Sequence, residues 1–226
     1  MKLQSFFSKR QYIQSNDPRK KMIGGQAADP REHPWQALVV LTTYNTTTYK
    51  YRYFYKCGGT LISDQWVLTS HHCLDNSNPI WPGGEITVVL GGYVFPPNYQ
   101  TGNEVTEVFG LEKVVGVEKI VRHPYGGLLA YDIALLKMDS KITFRRNIFP
   151  ACVPGPDYNL DDYIHKYVYA TGWGFTKTVP TRTLPRVLQE LKLSIHDRAN
   201  CHTFLKTGCS AGNMLAITSI FSQQSN

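Results

Sequence analysis

Short apolar runs recur along the chain from residue 33 onward, and each run is broken by Gly, Pro, Asn or Asp. Runs of this kind predict β-strands, and the sustained 3.6-residue periodicity of a long helix is absent. Near the end of the pattern, Leu191, Leu193 and Ile195 alternate with Lys192 and Ser194, as in a strand buried on one face. Many short strands separated by turns indicate an all-β fold, either a sandwich or barrels. The predicted strands lie at residues 35–41, 58–63, 65–70, 85–91, 112–123, 132–138, 166–174 and 188–196.

Residues 42–57 read TTYNTTTYKYRYFYKC, a long loop that is rich in threonine and then in basic and aromatic residues. Tyrosines occupy alternate positions from 49 to 55, with Lys50 and Arg52 between them. One interpretation is an aromatic and basic surface that contacts a protein partner, and the other is the ascending arm of a β-hairpin. The high β-propensity of tyrosine favours the hairpin.

Composition agrees with a folded, globular chain. Of the 226 residues, 42% are hydrophobic and 18% are charged, so the chain can bury a sizeable core as one large or two small domains. This apolar content excludes a largely disordered protein. A membrane-spanning helix needs about 18 uninterrupted apolar residues. The sequence holds no such stretch, so we expect no membrane span.

The net charge of +7 is concentrated at the start of the chain. Residues 1–21 contain six Lys and Arg residues against Asp17 alone, a net +5, which leaves +2 for the other 205 residues. A basic tail on a nearly neutral domain is more typical of a solvated, cleavable extension than of a nucleic-acid surface. We therefore expect no nucleic-acid binding.

Two features point to different cellular compartments. The first residues, MKLQSFFSKRQYIQ, hold too few and too scattered apolar residues for the core of a signal peptide. The chain nevertheless contains five cysteines, and disulfides persist mainly in oxidising compartments. We expect the start of this sequence to be incomplete or atypical.

The stretch WVLTSHHCLD places His71 and His72 side by side, directly before Cys73. Adjacent histidines on a strand point to opposite faces, so the two cannot easily bind one metal ion. Cys57 lies 14 residues before His71, unlike the short ligand spacings of zinc sites. We therefore expect no metal here. A buried core histidine is an adequate explanation for His71 but a poorer one for His72.

The longer segment CGGTLISDQWVLTSHHCLD resembles the catalytic-histidine segment of chymotrypsin/trypsin-like serine endopeptidases, which runs Cys-Gly-Gly-Ser-Leu-Ile and then Trp-Val-Leu-Thr-Ala-Ala-His-Cys. The resemblance implies that His72 is the general base and that Cys57 and Cys73 form the disulfide that clamps the histidine loop. Further segments resemble the family in the same order, and YDIALLKM places Asp132 on the aspartate of the catalytic triad. The others are MIGGQAADPREHPWQALV, PACVP and ATGWGFT.

This resemblance implies a fold of two β-barrels and hydrolysis of peptide bonds by acyl transfer. A serine hydroxyl is a poor nucleophile, so a neutral histidine must remove its proton, while a buried aspartate orients that histidine. The expected substrates are proteins or peptides, no cofactor is needed, and the product is secreted as a zymogen. Such zymogens are activated by cleavage of the peptide bond after a basic residue. The Lys21–Met22 bond lies at that position, with Met22 in place of the usual Ile or Val.

The family places its nucleophilic serine in Gly-Asp-Ser-Gly-Gly, after the histidine and the aspartate. The motif does not occur among the 226 residues, although the family pattern continues as far as Leu215. We therefore expect a chain without nucleophile, oxyanion hole or specificity pocket, with a complete first barrel and an incomplete second barrel. In this interpretation residues 1–21 are a propeptide-like extension, residues 22–215 are the protease domain and residues 216–226 are a divergent tail.

Smaller features follow from the same resemblance. Cys201 has lost its usual family partner, and Cys209 is available to replace it. Asn45 begins the only Asn-x-Thr sequon and would be glycosylated only in a secreted product. Leu90-Gly91-Gly92 departs from the Leu-Gly-Glu of calcium-binding relatives, so we expect no calcium.

Three hypotheses about function remain open. The first is a serine endopeptidase homologue that is inactive as this chain because the nucleophile is missing. The second is a non-catalytic homologue that acts as a protein-binding module. The third is an incomplete gene model of an active protease, which a downstream coding sequence for Gly-Asp-Ser-Gly-Gly would reveal.

Overall fold

The computed structural model describes residues 22, 25–47, 50–74, 84–94, 113–126, 131–155, 157, 159–163, 166–176 and 184–194. Each of the predicted strands corresponds to an observed one, so the prediction of an all-β fold is confirmed. Within these residues no helix is long and apolar enough to cross a membrane. The strands are β1 (Gln26–Ala27), β2 (Gln36–Asn45), β3 (Lys50–Leu61), β4 (Trp66–Thr69), β5 (Glu85–Leu90), β6 (Lys113–Arg122), β7 (Ala134–Met138), β8 (Tyr167–Gly172) and β9 (Gln189–Ser194).

Six strands form a closed antiparallel barrel in the order β2-β3-β4-β7-β6-β5, which confirms the predicted first barrel. The barrel closes because β2 pairs with both β3 and β5. The register shifts between Val39 and Val40 and again between Val117 and Lys119. Such bulges increase the local twist and bend that closure requires. Fully buried aliphatic side chains fill the interior, among them Leu61, Val67, Val88, Leu90, Leu136 and Met138.

The segment 42–57 is a hairpin and not a loop. Backbone pairing between β2 and β3 continues outward from Thr42↔Tyr53 to Asn45↔Lys50. The interpretation as a long loop is therefore wrong, and the hairpin hypothesis is confirmed. The physical reason is that the alternating aromatic residues before Cys57 have high β-propensity. The backbone pairing between β2 and β3 therefore continues beyond residue 57 toward the hairpin turn.

A glycine allows β5 to end against a neighbouring turn. Gly91 takes φ +77°, in the left-handed region that other residues rarely adopt. A β-carbon at this position would lie 2.8 Å from Asn147 Nδ2 and 2.9 Å from Ile148 Cγ1. The backbone can therefore approach that turn only because residue 91 is glycine.

The second part of the molecule is a sheet with the order β1-β9-β8. It packs on the outer face of the barrel through a buried cluster in which Trp173 and Leu188 contact Leu38, Val40 and Val89. The predicted incompleteness of a second barrel depends on residues 195–226, which lie outside the described residues.

Candidate active site

A short 3-10 helix over His71–Leu74 follows β4 and carries the two histidines. The strand predicted at residues 65–70 ends before them, since β4 ends at Thr69 and Cys73 N donates to Ser70 O at 3.3 Å, which starts the turn. The argument from the opposite faces of a strand therefore does not apply to these two histidines. Thr69 is held in turn, since its Oγ1 donates to Gly58 O at 2.8 Å. The two histidines nevertheless diverge, as the sequence predicted.

His71 packs against the backbone of a neighbouring loop. A β-carbon added to Gly126 would lie 2.6 Å from His71 Cδ2 and 2.9 Å from His123 O. The imidazole of His71 therefore occupies the space that a larger residue at position 126 would need. This contact agrees with the explanation of His71 as a packing residue.

The predicted disulfide between Cys57 and Cys73 is present, with a Cα–Cα distance of 5.8 Å. Cys57 lies in β3 and Cys73 lies in the 3-10 turn, so the bond ties the histidine turn to the barrel. Both cysteines are buried, at 3% and 4% exposure. In the chain-entropy model, closing a loop of this length contributes about 3 kcal/mol of stability.

Asp132 is presented by an unusual backbone turn just before β7. Tyr131 has φ +54°, and Ile133 N donates to Tyr131 O at 2.7 Å. The ring of Tyr131 stacks on that of His123, with centroids 4.4 Å apart and an interplanar angle of 6°. The left-handed residue and its stacked partner shape the turn that precedes β7 and contains Asp132.

The structure brings His72 and Asp132 together through two hydrogen bonds. His72 N donates to Asp132 Oδ1 at 2.8 Å, and His72 Nδ1 lies 2.6 Å from Asp132 Oδ2. An ionised carboxylate can only accept, so Nδ1 carries the proton in this contact. The other ring nitrogen, Nε2, is then a proton acceptor in the neutral imidazole. The two side chains are partly buried, with exposures of 26% and 18%.

The pKa of Asp132 lies below its usual value although the carboxyl is partly buried. Burial raises the pKa, but the side-chain and backbone hydrogen bonds from His72 lower it, with smaller contributions from the charges of His72 and His71. The combined lowering outweighs the effect of burial, so Asp132 is ionised near neutral pH.

Nε2 of His72 faces the disulfide. It lies 3.5 Å from Cys73 Sγ and 4.0 Å from Cys57 Sγ. The three residues are close enough together to suggest a metal site. The two sulfur atoms are bonded to each other, however, and so offer no thiolate to a metal.

A second group of potential ligands, Glu32, His33 and Glu190, is also close together. Here His33 Nε2 donates to Glu190 Oε2 at 2.9 Å, and Gln26 Nε2 donates to Glu190 Oε1 at 3.0 Å. Both oxygens of Glu190 are therefore engaged by protein groups. This cluster joins the segment before β2 to β9; His33 and Glu190 are buried, whereas Glu32 is exposed. Sequence reasoning did not identify it.

Some of the remaining predicted site residues lie within the described part of the structure, and others lie outside it. Met22 is buried, and its backbone N donates to Phe175 O at 3.0 Å. Asn45 ends β2, but its side chain lies outside the described part of the structure. The residues Lys21, Cys201, Cys209 and 216–226 also lie outside it.

Comparisons with known proteins agree on one family. Residues 22–224 match the family model described as trypsin. Serine proteinase stubble of Drosophila melanogaster is 31% identical over 195 residues, which cover 84% of this chain and 22% of that protein. Coagulation factor IX of Oryctolagus cuniculus is 29% identical over 195 residues, covering 84% and 61%. The chain therefore spans between about a fifth and three fifths of the length of these relatives.

Solved structures show the same fold. The structure of GrC has 27% sequence identity and a TM-score of 0.56, and the match covers 80% of this chain and 68% of that one. Neuropsin, a serine protease expressed in the limbic system of mouse brain, matches over the same shares with a TM-score of 0.57. At 20% identity, the likeness to neuropsin concerns the fold alone.

Proposed function

This chain belongs to the trypsin family of serine proteases, and from that membership we propose that His72 and Asp132 are the general base and its orienting acid in a serine-endopeptidase site. The observation that carries the proposal is the double hydrogen bond from the backbone and ring of His72 to the two oxygens of one carboxylate. A histidine that only filled space would not need both contacts.

The geometry suits proton transfer at Nε2. Because Asp132 holds the proton on Nδ1, Nε2 carries the lone pair that can accept the proton of a serine hydroxyl and later return it to the leaving amine. The ionised carboxylate stabilises the imidazolium that forms between these two steps. In proteases of this type the orienting aspartate contributes about four orders of magnitude to kcat.

The polypeptide of 226 residues contains no Gly-Asp-Ser-Gly-Gly segment. We infer that it holds a base and its orienter without the nucleophile, and that it does not hydrolyse peptides by itself. Triad members act as a unit, so the pair alone supplies negligible catalysis. A longer product in which that motif follows Leu215 would be an active endopeptidase acting on proteins or peptides.

A second candidate is a non-catalytic homologue that binds a protein partner. It is favoured by the same combination of a closed barrel and an absent serine motif. The two candidates differ in what they require of His72, because binding of a partner through another surface does not need a base. Replacing His72 by Ala should then leave the binding unchanged.

The proposed domain organisation follows the family pattern. In this proposal residues 22–215 form the protease domain, residues 1–21 are released by cleavage after Lys21, and residues 216–226 are a divergent tail, although the family match itself extends to residue 224. The burial of Met22 and its hydrogen bond to Phe175 O support an ordered start of the domain at residue 22. The Cys57–Cys73 disulfide supports secretion into an oxidising compartment.

A serine-reactive fluorophosphonate probe tests the missing nucleophile. We expect the purified 226-residue protein to remain unlabelled under conditions that label active trypsin to completion. Stoichiometric labelling that is lost in His72→Ala and retained in the matched control His71→Ala would overturn the proposal, because it would show an activated serine within this chain.

A further inference from the structure

The nitrogen that would serve a nucleophile faces sulfur in this structure. Nε2 of His72 is 3.5 Å from Cys73 Sγ and 4.0 Å from Cys57 Sγ, while Nδ1 is bound to Asp132. Cysteine becomes a strong nucleophile when its thiolate is paired with a protonated imidazole. The disulfide and the His72–Asp132 pair therefore place a cysteine sulfur, an imidazole and a carboxylate side by side, in the order of a Cys–His–Asp arrangement.

The contact does not depend on the sulfur–sulfur bond for its position. Cys73 follows His72 in the same 3-10 turn, and that turn is held by the backbone bond from Cys73 N to Ser70 O and by the two bonds to Asp132. On the other side, Cys57 is held in β3 by its pairing with Val39. Breaking the disulfide therefore leaves both sulfur atoms close to the imidazole.

We propose that the Cys57–Cys73 disulfide is a redox-responsive site, in which a low-molecular-weight thiol reductant frees Cys73 beside His72 and a thiolate–imidazolium pair results. A thiolate of the reductant attacks Cys57 Sγ, the disulfide bond breaks, and its electron pair leaves on Cys73 Sγ. A second reductant thiolate attacks the reductant's own sulfur in the mixed disulfide and releases Cys57. Two electrons pass to the cysteines, the reductant becomes a disulfide, and its two protons end on Cys57 and on His72 Nε2.

Cys73 is the better candidate for the thiolate because its sulfur is nearer to Nε2. Burial of both cysteines opposes a charged sulfur, whereas the adjacent imidazolium favours one. Within the part of the chain that the structure describes, the charged or titratable groups around the turn include Asp132, which stabilises the imidazolium, and Arg122 of β6, whose Nη2 donates to Leu74 O at 2.8 Å. His71 lies in the turn itself, and His123 lies beyond it on the far side of Gly126. His72 is the one among them within contact distance of the sulfur atoms, so removing its ring should have the largest effect.

The inference rests on the His72–Asp132 pair of the proposed function, and thiol alkylation tests it independently of any serine chemistry. The protein is reduced with dithiothreitol without denaturant, freed of the reductant, and treated with iodoacetamide between pH 5 and pH 10. Mass spectrometry follows the alkylation of Cys73, with the exposed free cysteine Cys152 as an internal reference. Each rate is divided by its own value at pH 10, which removes the effect of burial on access.

We expect the rate at Cys73 to reach half its maximum at about pH 7 or lower, compared with about pH 8.5 for an ordinary thiol. In His72→Ala the half-maximal pH should rise above 8.5, and the normalised rate at pH 6.5 should fall at least about tenfold. His71→Ala should behave as the wild type. The variant Cys57→Ser, which leaves Cys73 as a thiol without any reduction step, should repeat the wild-type profile.

Two results would overturn the inference. One is a Cys73 profile that His72→Ala leaves unchanged in both the reduced protein and the Cys57→Ser background. The other is a disulfide that dithiothreitol does not reduce in the folded protein. Neither result bears on labelling by a fluorophosphonate probe, so failure of this inference and failure of the proposed function are distinguishable.

Discussion

His71 and His72 are neighbours in the chain with different environments, and the 3-10 turn creates the difference. The ring of His71 lies against the backbone at Gly126. The backbone N and the ring Nδ1 of His72 instead donate to the two oxygens of the Asp132 carboxylate. The resemblance to the family segment that surrounds the catalytic histidine singled out His72 rather than His71, and the contacts of the two residues differ accordingly. It could not predict that Nε2 would face the disulfide, because that contact depends on the rotation of one side chain.

Asp132 should make the free energy of unfolding depend on pH in the acidic range. Its pKa in the folded state lies below that of the unfolded chain, so the carboxylate stabilises the fold fully above about pH 4 and this contribution is lost as the pH falls through the folded-state pKa. We expect Asp132→Asn to lower the free energy of unfolding by roughly 1–3 kcal/mol at pH 7. The difference from the wild type should shrink below pH 4.

Urea unfolding at pH 7, pH 5 and pH 3 measures this dependence, with His71→Ala as a matched control that keeps the hydrogen bonds to Asp132. A difference between wild type and Asp132→Asn that stays constant from pH 7 to pH 3 would contradict the assignment of the lowered pKa to this pair.

At the scale of elements, the turn before β7 determines where the orienting carboxylate points. Tyr131 adopts a left-handed conformation at φ +54°, and its ring stacks on that of His123. For a residue other than glycine this backbone region costs about 1–2 kcal/mol. The local sequence does not indicate this conformation, because a bulky aromatic residue rarely adopts a positive φ.

Two substitutions of Tyr131 distinguish the effect of its left-handed backbone on stability from the effect of its ring stacking on His123. Both Tyr131→Ala and Tyr131→Gly lose the contact with His123, but only glycine is free of the left-handed penalty. We expect the glycine variant to be the more stable of the two by about 1 kcal/mol in chemical denaturation. If residue 131 had an ordinary conformation, the glycine variant would instead be the less stable by about 0.5–1 kcal/mol.

The strands of the barrel were the most predictable elements, because each has a local apolar pattern that matches its burial. In β7, for example, Ala134, Leu136 and Met138 are buried and alternate with less buried residues. Strand β1 was missed because Gln26 and Ala27 are both exposed and two residues form no pattern. The hairpin ends of β2 and β3 were identified only as one of two interpretations, since tyrosine fits both.

At the scale of the whole molecule, the barrel and the second sheet are joined by contacts between residues that are far apart in sequence. Trp173 and Leu188 pack on the outer face of the barrel, and Thr171 Oγ1 donates to Gln36 Oε1 at 2.6 Å. The buried pair of His33 and Glu190 adds a further link across 157 positions of the chain. The local apolar pattern of one segment carries no information about which distant segment it will contact, so such pairings have no signal in the sequence.

The resemblance to one family supplied what the pattern could not. It placed Asp132 with His72 across 60 positions, which no spacing rule would have suggested. Their pairing at 2.6 Å is the feature on which the proposed base and the proposed redox site both depend.

The hydrogen bond between His72 Nδ1 and Asp132 distinguishes a catalytic base from a core histidine most directly, and proton NMR in water can observe it. We expect one imidazole N–H signal far to low field of the others, because a short bond to a carboxylate deshields and protects that proton. The signal should persist in His71→Ala and disappear in both His72→Ala and Asp132→Asn. Absence of the signal from the folded wild-type protein, or its survival in Asp132→Asn, would contradict the base and orienter roles.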